Sequence, residues 1–91
     1  MCPIGAMSQP EAELFGARLR ELREGRGESQ RSLAALTGIT YAYISEMERG
    51  LKVPSLTTII RLAVALQCEV TDLVDVFTGR DLRKLIPKLR K

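Results

Sequence analysis

The side chains that carry most enzyme chemistry are scarce in this sequence. Its 91 residues include no histidine and two cysteines, Cys2 and Cys68, which lie far apart. Without histidine there is no imidazole to act as a general base, and two isolated cysteines cannot complete a tetrahedral zinc site. Gly25 and Gly27 flank an arginine and are not followed by the Gly-Lys-Ser/Thr of a phosphate loop. The sequence therefore predicts no enzyme, no metal site and no cofactor.

The remaining candidates for chemistry are hydrogen-bonding side chains at a predicted helix start. Tyr41 and Tyr43 are the two tyrosines of the chain, and both follow Thr40, a residue type favoured as a helix N-cap. Either these rings contact a partner, or they cover a turn as half-buried packing residues. The elements around them decide between these alternatives.

Charge is distributed unevenly along the chain. Residues 80–91 carry six basic residues and one acidic residue, a net +5, whereas residues 1–79 carry eight basic and ten acidic residues, a net −2. Nucleic-acid binding by residues 1–79 would therefore need locally placed arginines and helix ends, with the tail adding non-specific attraction. Arg61 interrupts the longest apolar run, which is too short to span a bilayer. Together with the isolated cysteines, this predicts a cytoplasmic protein without a membrane partner.

Helical periodicity predicts an all-α, compact five-helix domain. We expect a disordered leader over residues 1–10, a single domain over residues 11–79, and a basic amphipathic tail over residues 80–91. Residues 11–24 carry apolar side chains at helical spacing with acidic residues in the first turn, which predicts the first helix. No stretch shows the alternation of a strand.

The second and third predicted helices are short and closely joined. Ser29 is the expected cap of the second helix, and Gly38 provides the left-handed exit that glycine adopts at little cost. Thr40 is the expected cap of the third helix, with Ile39 and Ile44 at the two positions of a hydrophobic staple. A three-residue connection makes two such helices cross steeply, so we expect a helix-turn-helix.

Two further helices complete the prediction. Ser55 is expected to cap a fourth helix, the most hydrophobic segment and hence a central one, and Thr71 to cap a short fifth helix. In the second helix, Leu33 and Leu36 are predicted to share one face. The apolar face predicted for the fourth helix consists of Leu56, Ile59, Ile60, Ala63 and Leu66.

These features resemble the lambda-repressor-like, Xre-type helix-turn-helix family of bacterial and phage transcriptional regulators. The resemblance covers residues 15–76 and is specific as a combination, although each mark alone is common. Glu28 departs from the family pattern, which usually has an apolar residue there, so we expect a more exposed loop between the first two helices. The marks are Ser29, Gln30, Leu33, Ala34, Gly38, Ile44, the run from Glu48 to Gly50, and Pro54.

The resemblance implies a DNA interface. The third helix would be the recognition helix, whose N-terminal residues lie against base edges in the major groove, and the resemblance places Tyr41, Ala42 and Glu46 at base-reading positions. Arg23 and Glu48 match a pair that often forms an internal salt bridge. Residues expected at the sugar-phosphate backbone are Ser29, Gln30, Arg31, Thr40, Tyr43, Arg49 and Lys52.

Structural alternatives accompany several of these residues. Tyr41 and Tyr43 are alternatively packing residues, and Gln30 is alternatively an ordinary residue of the helix start. Glu46 is repelled by phosphates unless it accepts a hydrogen bond from cytosine N4 or is balanced by Arg49. We therefore expect tyrosine contacts and DNA shape to supply much of the specificity.

The resemblance implies a dimeric repressor that binds double-stranded DNA at an inverted repeat. Phage-type repressors, restriction-modification controllers and antitoxins all remain open as its biological setting. The main alternative from another class is a protein-interaction module that binds a protein such as a toxin or RNA polymerase, which Glu46 and the net negative charge of residues 1–79 favour. The expected dimer surface consists of apolar residues beyond the fourth helix, namely Val70, Val74, Phe77, Leu82, Leu85 and Ile86.

Overall fold

A computed structural model describes residues 10–77, and every regular element in that range is a helix. The order is α1 (Pro10–Gly25), α2 (Gln30–Thr37), α3 (Tyr41–Glu48), α4 (Leu56–Leu66) and α5 (Val70–Val74). The predicted all-α, five-helix architecture is confirmed. The predicted tail and residues 1–9 of the predicted leader lie outside the described residues. Among the described helices, none combines the length and the apolar character that crossing a bilayer requires.

Local hydrogen bonds set most helix starts. The side chains of Ser29, Thr40 and Ser55 each accept a hydrogen bond from the backbone N–H three residues further on, as N-caps do. Gly38 ends α2 in the left-handed region, with φ of 77°. These predicted boundaries are confirmed.

The start of α5 differs from the prediction. Thr71 lies inside the helix, and the N-cap is Glu69. The Asp72 carboxylate accepts a hydrogen bond from the Glu69 backbone N–H at 2.9 Å. An acidic side chain in the first turn satisfies this otherwise unpaired N–H, so the helix begins two residues earlier than a threonine cap would place it.

All five helices contribute to one apolar core. Ile39 and Ile44, the two residues of the predicted staple, are both buried in it. The chain between α2 and α3 is therefore fixed to the interior of the domain. The other large core side chains are Phe15, Leu19, Leu33, Met47, Leu62, Leu66 and Leu73.

The predicted inner faces of α2 and α4 are partly wrong. Leu33 is fully buried but Leu36 is 58% exposed. In α4, Leu56 and Ile60 are exposed and the interior position goes to Leu62, which the predicted face does not include. Because α4 carries apolar residues on nearly every side, spacing alone permits several inward faces. Packing of α4 against α2 and α5 selects the observed face.

The approach of α1 to α3 depends on a glycine. A Cβ added at Gly16 would overlap the carbonyl oxygen of Met47 and lie 3.0 Å from the carbonyl oxygen of Glu48. Both neighbours are backbone atoms at the end of α3, so a small side-chain movement cannot relieve the overlap. Gly16 therefore sets the separation between α1 and the helix that carries the predicted base-reading residues.

A buried ion pair joins the same two helices. Arg23 on α1 donates two hydrogen bonds to the Glu48 carboxylate, from Nε to Oε2 at 2.6 Å and from Nη2 to Oε1 at 2.9 Å. The third guanidinium nitrogen, Nη1, donates to the carbonyl oxygen of Glu28 at 2.8 Å. The hydrogen bonds to Glu48 raise the pKa of Arg23 above its ordinary value. This is the arrangement that the resemblance implied for the pair.

Replacing Gly16 with alanine should destabilise the fold. An alanine usually stabilises a helix interior by about 1 kcal/mol relative to glycine, but the overlap with Met47 should reverse the sign and cost roughly 1–3 kcal/mol. The matched control is Gly25→Ala, because a Cβ at Gly25 has no neighbour within 4 Å. Urea unfolding followed by circular dichroism measures both variants. Equal stability of the two would contradict the close approach.

Removing Glu48 should be far more damaging than removing an exposed carboxylate. Glu48→Ala leaves the buried Arg23 guanidinium with only the exposed Glu24 carboxylate, 3.9 Å away, as a counter-ion, and loss of one partner of a buried pair costs about 3–5 kcal/mol. The control is Glu21→Ala, because the Glu21 side chain is 69% exposed in its ion pair with Arg18, and such pairs contribute about 0–1 kcal/mol. The free energies of unfolding in urea should differ accordingly. Similar losses in both variants would show that the buried pair does not hold the helices together.

Candidate nucleic-acid interface

The turn between α2 and α3 is held by hydrogen bonds and by burial. The Thr37 hydroxyl donates to the carbonyl oxygen of Leu33 at 2.8 Å and accepts from the backbone N–H of Ile39 at 3.1 Å. The Ile39 side chain is in turn buried in the core. The N-terminal ends of α2 and α3 therefore keep a fixed relation to one another, as a two-helix DNA-binding motif requires.

The helix α3 divides its side chains between the core and the surface. Ile44 and Met47 are fully buried, whereas Tyr41 and Ala42 are exposed and Glu46 is half-buried. Two of the three predicted base-reading positions thus lie open at the start of the helix, where a recognition helix contacts base edges.

The two tyrosines have different surroundings. Tyr41 is 44% exposed, and its ring lies beneath the guanidinium of Arg31, with 4.6 Å between the guanidinium carbon and the ring centroid. Tyr43 is half-buried and packs against the core. Tyr43 is therefore in part a packing residue, whereas Tyr41 is partly exposed to solvent.

Gln30 is connected to the interior rather than standing as an isolated surface residue. It is half-buried at the first position of α2, and its Nε2 donates to Glu48 Oε1 at 3.0 Å. The same carboxylate oxygen accepts from Arg23, so Gln30 belongs to the ion-pair network. Nothing in the sequence pattern predicted this contact, because the two residues lie 18 positions apart.

The hydroxyls at the two helix starts remain able to donate. Ser29 and Thr40 are exposed, and as N-caps their side-chain oxygens accept from backbone N–H groups. An oxygen that accepts in this way keeps its own hydrogen for a further partner. Both residues therefore suit the backbone contacts expected of them.

The arginines differ sharply in their protein partners. On α1, Arg18, Arg20 and Arg23 each form an ion pair with an acidic side chain. Among residues 10–77, no ion pair involves Arg31, Arg49 or Lys52, all of which are exposed. The Arg49 side chain makes a long hydrogen bond within its own helix end, from Nε to the Ser45 carbonyl oxygen at 3.4 Å. The expected partner Glu46 does not pair with it.

Among the residues predicted for a dimer surface, the three that the structure describes do not form an exposed patch. Val70, Val74 and Phe77 are half-buried and pack against the core, and Leu82, Leu85 and Ile86 lie outside the described residues. Within residues 10–77, the large exposed aliphatic side chains lie elsewhere, and several of them belong to the helix faces that the sequence predicts for the core. They are Leu36, Leu51, Val53, Leu56, Ile60 and Val64.

The described residues offer little other chemistry. No group of three His, Cys, Asp or Glu within residues 10–77 is placed to hold a metal ion. Cys68 is half-buried, and burial raises the pKa of its thiol. Because the thiolate is the reactive form, this environment lowers the reactivity of the cysteine.

Comparisons with known proteins agree with this geometry. The chain is 42% identical over 60 residues to the HTH-type transcriptional regulator y4dL of Sinorhizobium fredii, covering 66% of this chain but only 31% of that relative. It is 35% identical over 63 residues to the HTH-type transcriptional regulator YazB of Bacillus subtilis, covering 69% of this chain and 91% of YazB. The restriction-modification controller protein C.AhdI from Aeromonas hydrophila is 45% identical with a TM-score of 0.67, over 68% of this chain and 94% of that one.

A family model described as helix-turn-helix, HTH_3, matches residues 19–73, which include all of α2, α3 and α4. The matched range contains both partners of the Arg23 and Glu48 ion pair and all the residues at the starts of α2 and α3 discussed above. The chain therefore belongs to the helix-turn-helix family HTH_3, the lambda-repressor-like group of transcriptional regulators.

Proposed function

We propose that this protein is a sequence-specific DNA-binding transcriptional repressor that acts as a homodimer on an inverted-repeat operator. In this arrangement α3 lies in the major groove, with its N-terminal residues at the base edges. The α2 start lies against the phosphates, where Gln30 and the free backbone N–H groups of the helix donate. Repression follows most simply when the bound dimer occupies the operator and blocks RNA polymerase.

The observation that carries this proposal is that some cations of the domain form ion pairs with its acidic side chains and others do not. The α1 arginines are neutralised by acidic side chains of the same domain, whereas Arg31, Arg49 and Lys52 have no ion pair among residues 10–77. Arg26 and Arg61, which lie outside the helix-turn-helix, also have no ion pair in that range, although Arg26 donates a hydrogen bond to Gln67. Arg31 comes from α2, Arg49 is the C-cap of α3, and Lys52 lies in the loop that follows, so all three are close in sequence to the helix-turn-helix. Phosphate oxygens are the partners that unpaired arginines and lysines beside a recognition helix suit best.

The exposed residues of α3 suit a limited set of base contacts. The methyl group of Ala42 fits against a thymine methyl, and the Glu46 carboxylate can accept from cytosine N4. Tyr41 adds a hydroxyl and a ring edge. Since none of these three side chains makes a bidentate contact with a purine, DNA shape supplies a large part of the specificity of α3 itself.

The dimer surface that we propose lies on α4 and the end of α2. Leu56, Ile60 and Val64 recur every four residues along one side of α4 and are 67%, 46% and 72% exposed. Leu36 lines a shallow groove with Ile60 and Val64. The exposed area of these four side chains is about 400 Å², within the size of patches that mark interaction sites. A second copy related by a two-fold axis would cover it with the same residues, forming the apolar centre of an interface of roughly 800 Å² per subunit.

The similarity to C.AhdI favours one of the three settings left open by the sequence. That protein is a restriction-modification controller, and it is matched over 94% of its length at 45% identity. We propose that the present chain serves a comparable regulatory circuit, in which a small dimer binds the promoter region of the genes that it controls.

Selection from a random duplex library at near-physiological salt tests the proposal directly. We expect enrichment of an inverted repeat whose half-sites are about 10 bp apart or a multiple of that, because each subunit places one α3 in successive major grooves. Sequencing of the retained DNA gives the result. Retention without any enriched motif, lost as salt rises, would contradict a sequence-specific reader.

Neutralising the unpaired cations should weaken DNA binding without unfolding the protein. We expect Arg49→Gln with Lys52→Gln to reduce the slope of log affinity against log salt by about 0.9 for each phosphate that the variant no longer neutralises. The matched control is Arg20→Gln, because Arg20 is already ion-paired with Glu24 on α1. Fluorescence anisotropy titrations at several salt concentrations measure the slopes. An unchanged slope in the double variant would place these cations away from DNA.

A charge placed in the α4 surface should dissociate the dimer. Ile60→Asp would bury two carboxylates against apolar side chains at the interface, so we expect the sedimentation coefficient to fall to that of a monomer. Ala17→Asp is the control, since it adds the same charge at an exposed position of α1. If the unaltered protein sediments as a monomer at all concentrations, the proposed homodimer does not form. The α4 surface would then be a binding site for a different protein.

A further inference from the structure

The contact between Arg31 and Tyr41 joins the two helices of the motif on their exposed side. Arg31 is the second residue of α2, and Tyr41 is the first residue of α3. The guanidinium carbon of Arg31 lies 4.6 Å from the centroid of the Tyr41 ring. This separation is within the roughly 6 Å at which a cation and an aromatic face attract one another.

Stacking leaves the hydrogen-bonding edge of the guanidinium available. Within residues 10–77, Arg31 has no ion pair and no side-chain hydrogen bond, and it is exposed. The ring attracts the cation without accepting its N–H hydrogen bonds in the way that a carboxylate would, and the five N–H donors of the guanidinium have no hydrogen-bond partner among residues 10–77. The contact with Tyr41 therefore favours one position of the Arg31 side chain and uses none of its hydrogen-bond donors.

The base-reading positions of α3 lack the group that a guanidinium provides. Tyr41, Ala42 and Glu46 include no side chain that can donate two parallel hydrogen bonds to one base. The two acceptors of guanine in the major groove, O6 and N7, are matched by the fork of an arginine. An arginine of α2 that rests on the first residue of α3 lies at the end of the recognition helix nearest to the bases.

We propose that Arg31, seated on the ring of Tyr41, reads a guanine through O6 and N7 in each half-site. Tyr41 then acts as a positioning residue, because its ring restricts the rotamers of a long side chain before DNA arrives. This inference rests on the proposed function, and it replaces a phosphate contact of Arg31 with a base contact. The two contacts predict different responses to substitution.

Library selection with a set of Arg31 and Tyr41 variants separates these possibilities. We expect the unaltered protein to enrich a motif with a guanine at one fixed position of each half-site. Arg31→Ala and Arg31→Lys should both lose the preference at that position alone, because lysine keeps the charge but not the fork. Tyr41→Phe should retain the preference, since the ring is preserved, and Tyr41→Ala should weaken it. Arg20→Ala on α1 is the control and should leave the motif unchanged.

Modified DNA gives a test that does not depend on how the variants fold. Replacing that guanine with 7-deazaguanine removes the N7 acceptor and keeps the base pair. We expect the unaltered protein to lose affinity by roughly 2- to 10-fold for each half-site that carries the modified base, because about half of a bidentate contact of about 1–3 kcal/mol is removed. Arg31→Ala should bind the modified and unmodified operators equally. Circular dichroism of each variant confirms that its helices are intact.

The contrary outcomes are distinct. If Arg31→Ala weakens binding to all sequences equally and lowers the salt dependence, Arg31 contacts phosphate and the inference is wrong. If the guanine preference survives in Arg31→Ala, another residue reads that base and the inference is again wrong. If the unaltered protein enriches no motif at all, the proposed function fails, and the inference fails with it.

Discussion

The ion pair of Arg23 and Glu48 is the interaction on which the candidate interface depends. It joins α1 to α3 through two hydrogen bonds, and the same Glu48 carboxylate accepts a third from Gln30 at the start of α2. Charges removed from water are tolerated only when their hydrogen bonds are satisfied. Because one carboxylate satisfies groups from two other helices, a shift of any of the three helices leaves a buried polar group unpaired. Gly16 makes this arrangement possible by allowing the backbones of α1 and α3 to approach closely.

The charge pattern resolves an apparent contradiction in the composition. Residues 1–79 carry a net −2, which by itself does not favour an anionic partner. In the fold, however, acidic side chains neutralise arginines on α1, away from the helix-turn-helix. The cations that remain unpaired in the described part of the chain include those beside α3. Exposed cations therefore lie beside α3 although the net charge of residues 1–79 is negative, and exposed charges interact strongly only within about a Debye length of 8–10 Å.

The helix α4 carries apolar side chains on both its inner and its outer side. Its inner side supplies Leu62, Ala63 and Leu66 to the core, and its outer side leaves Leu56, Ile60 and Val64 in solvent. A chain of this length has little core to spare, because small domains bury a smaller fraction of their surface than large ones. The exposed apolar side chains of α4 recur every four residues, which is the spacing at which one helix packs against another.

Features that depend on neighbouring residues could be predicted from the sequence. The caps Ser29, Thr40 and Ser55 and the turn at Gly38 lie where the sequence predicts them, because each hydrogen bond or backbone conformation involves groups only a few residues apart. The prediction that Arg23 pairs with Glu48 came from the family resemblance. The residue types fit this prediction because an ion pair needs one cation and one anion. At the start of α5 the local prediction was wrong. Thr71 is not the N-cap, because the Asp72 carboxylate accepts a hydrogen bond from the backbone N–H of Glu69 and the helix begins earlier.

Which apolar residues face inward, and which polar residues form contacts, depends instead on how the helices pack. The spacing of α4 permits several inner faces, and contact with α2 and α5 selects the one that exposes Ile60 and buries Leu62. The hydrogen bond from Gln30 to Glu48 and the stacking of Arg31 on Tyr41 likewise join residues from different helices. No periodicity in a sequence encodes such contacts, because the distance between side chains on two helices depends on how closely and at what angle the helices cross.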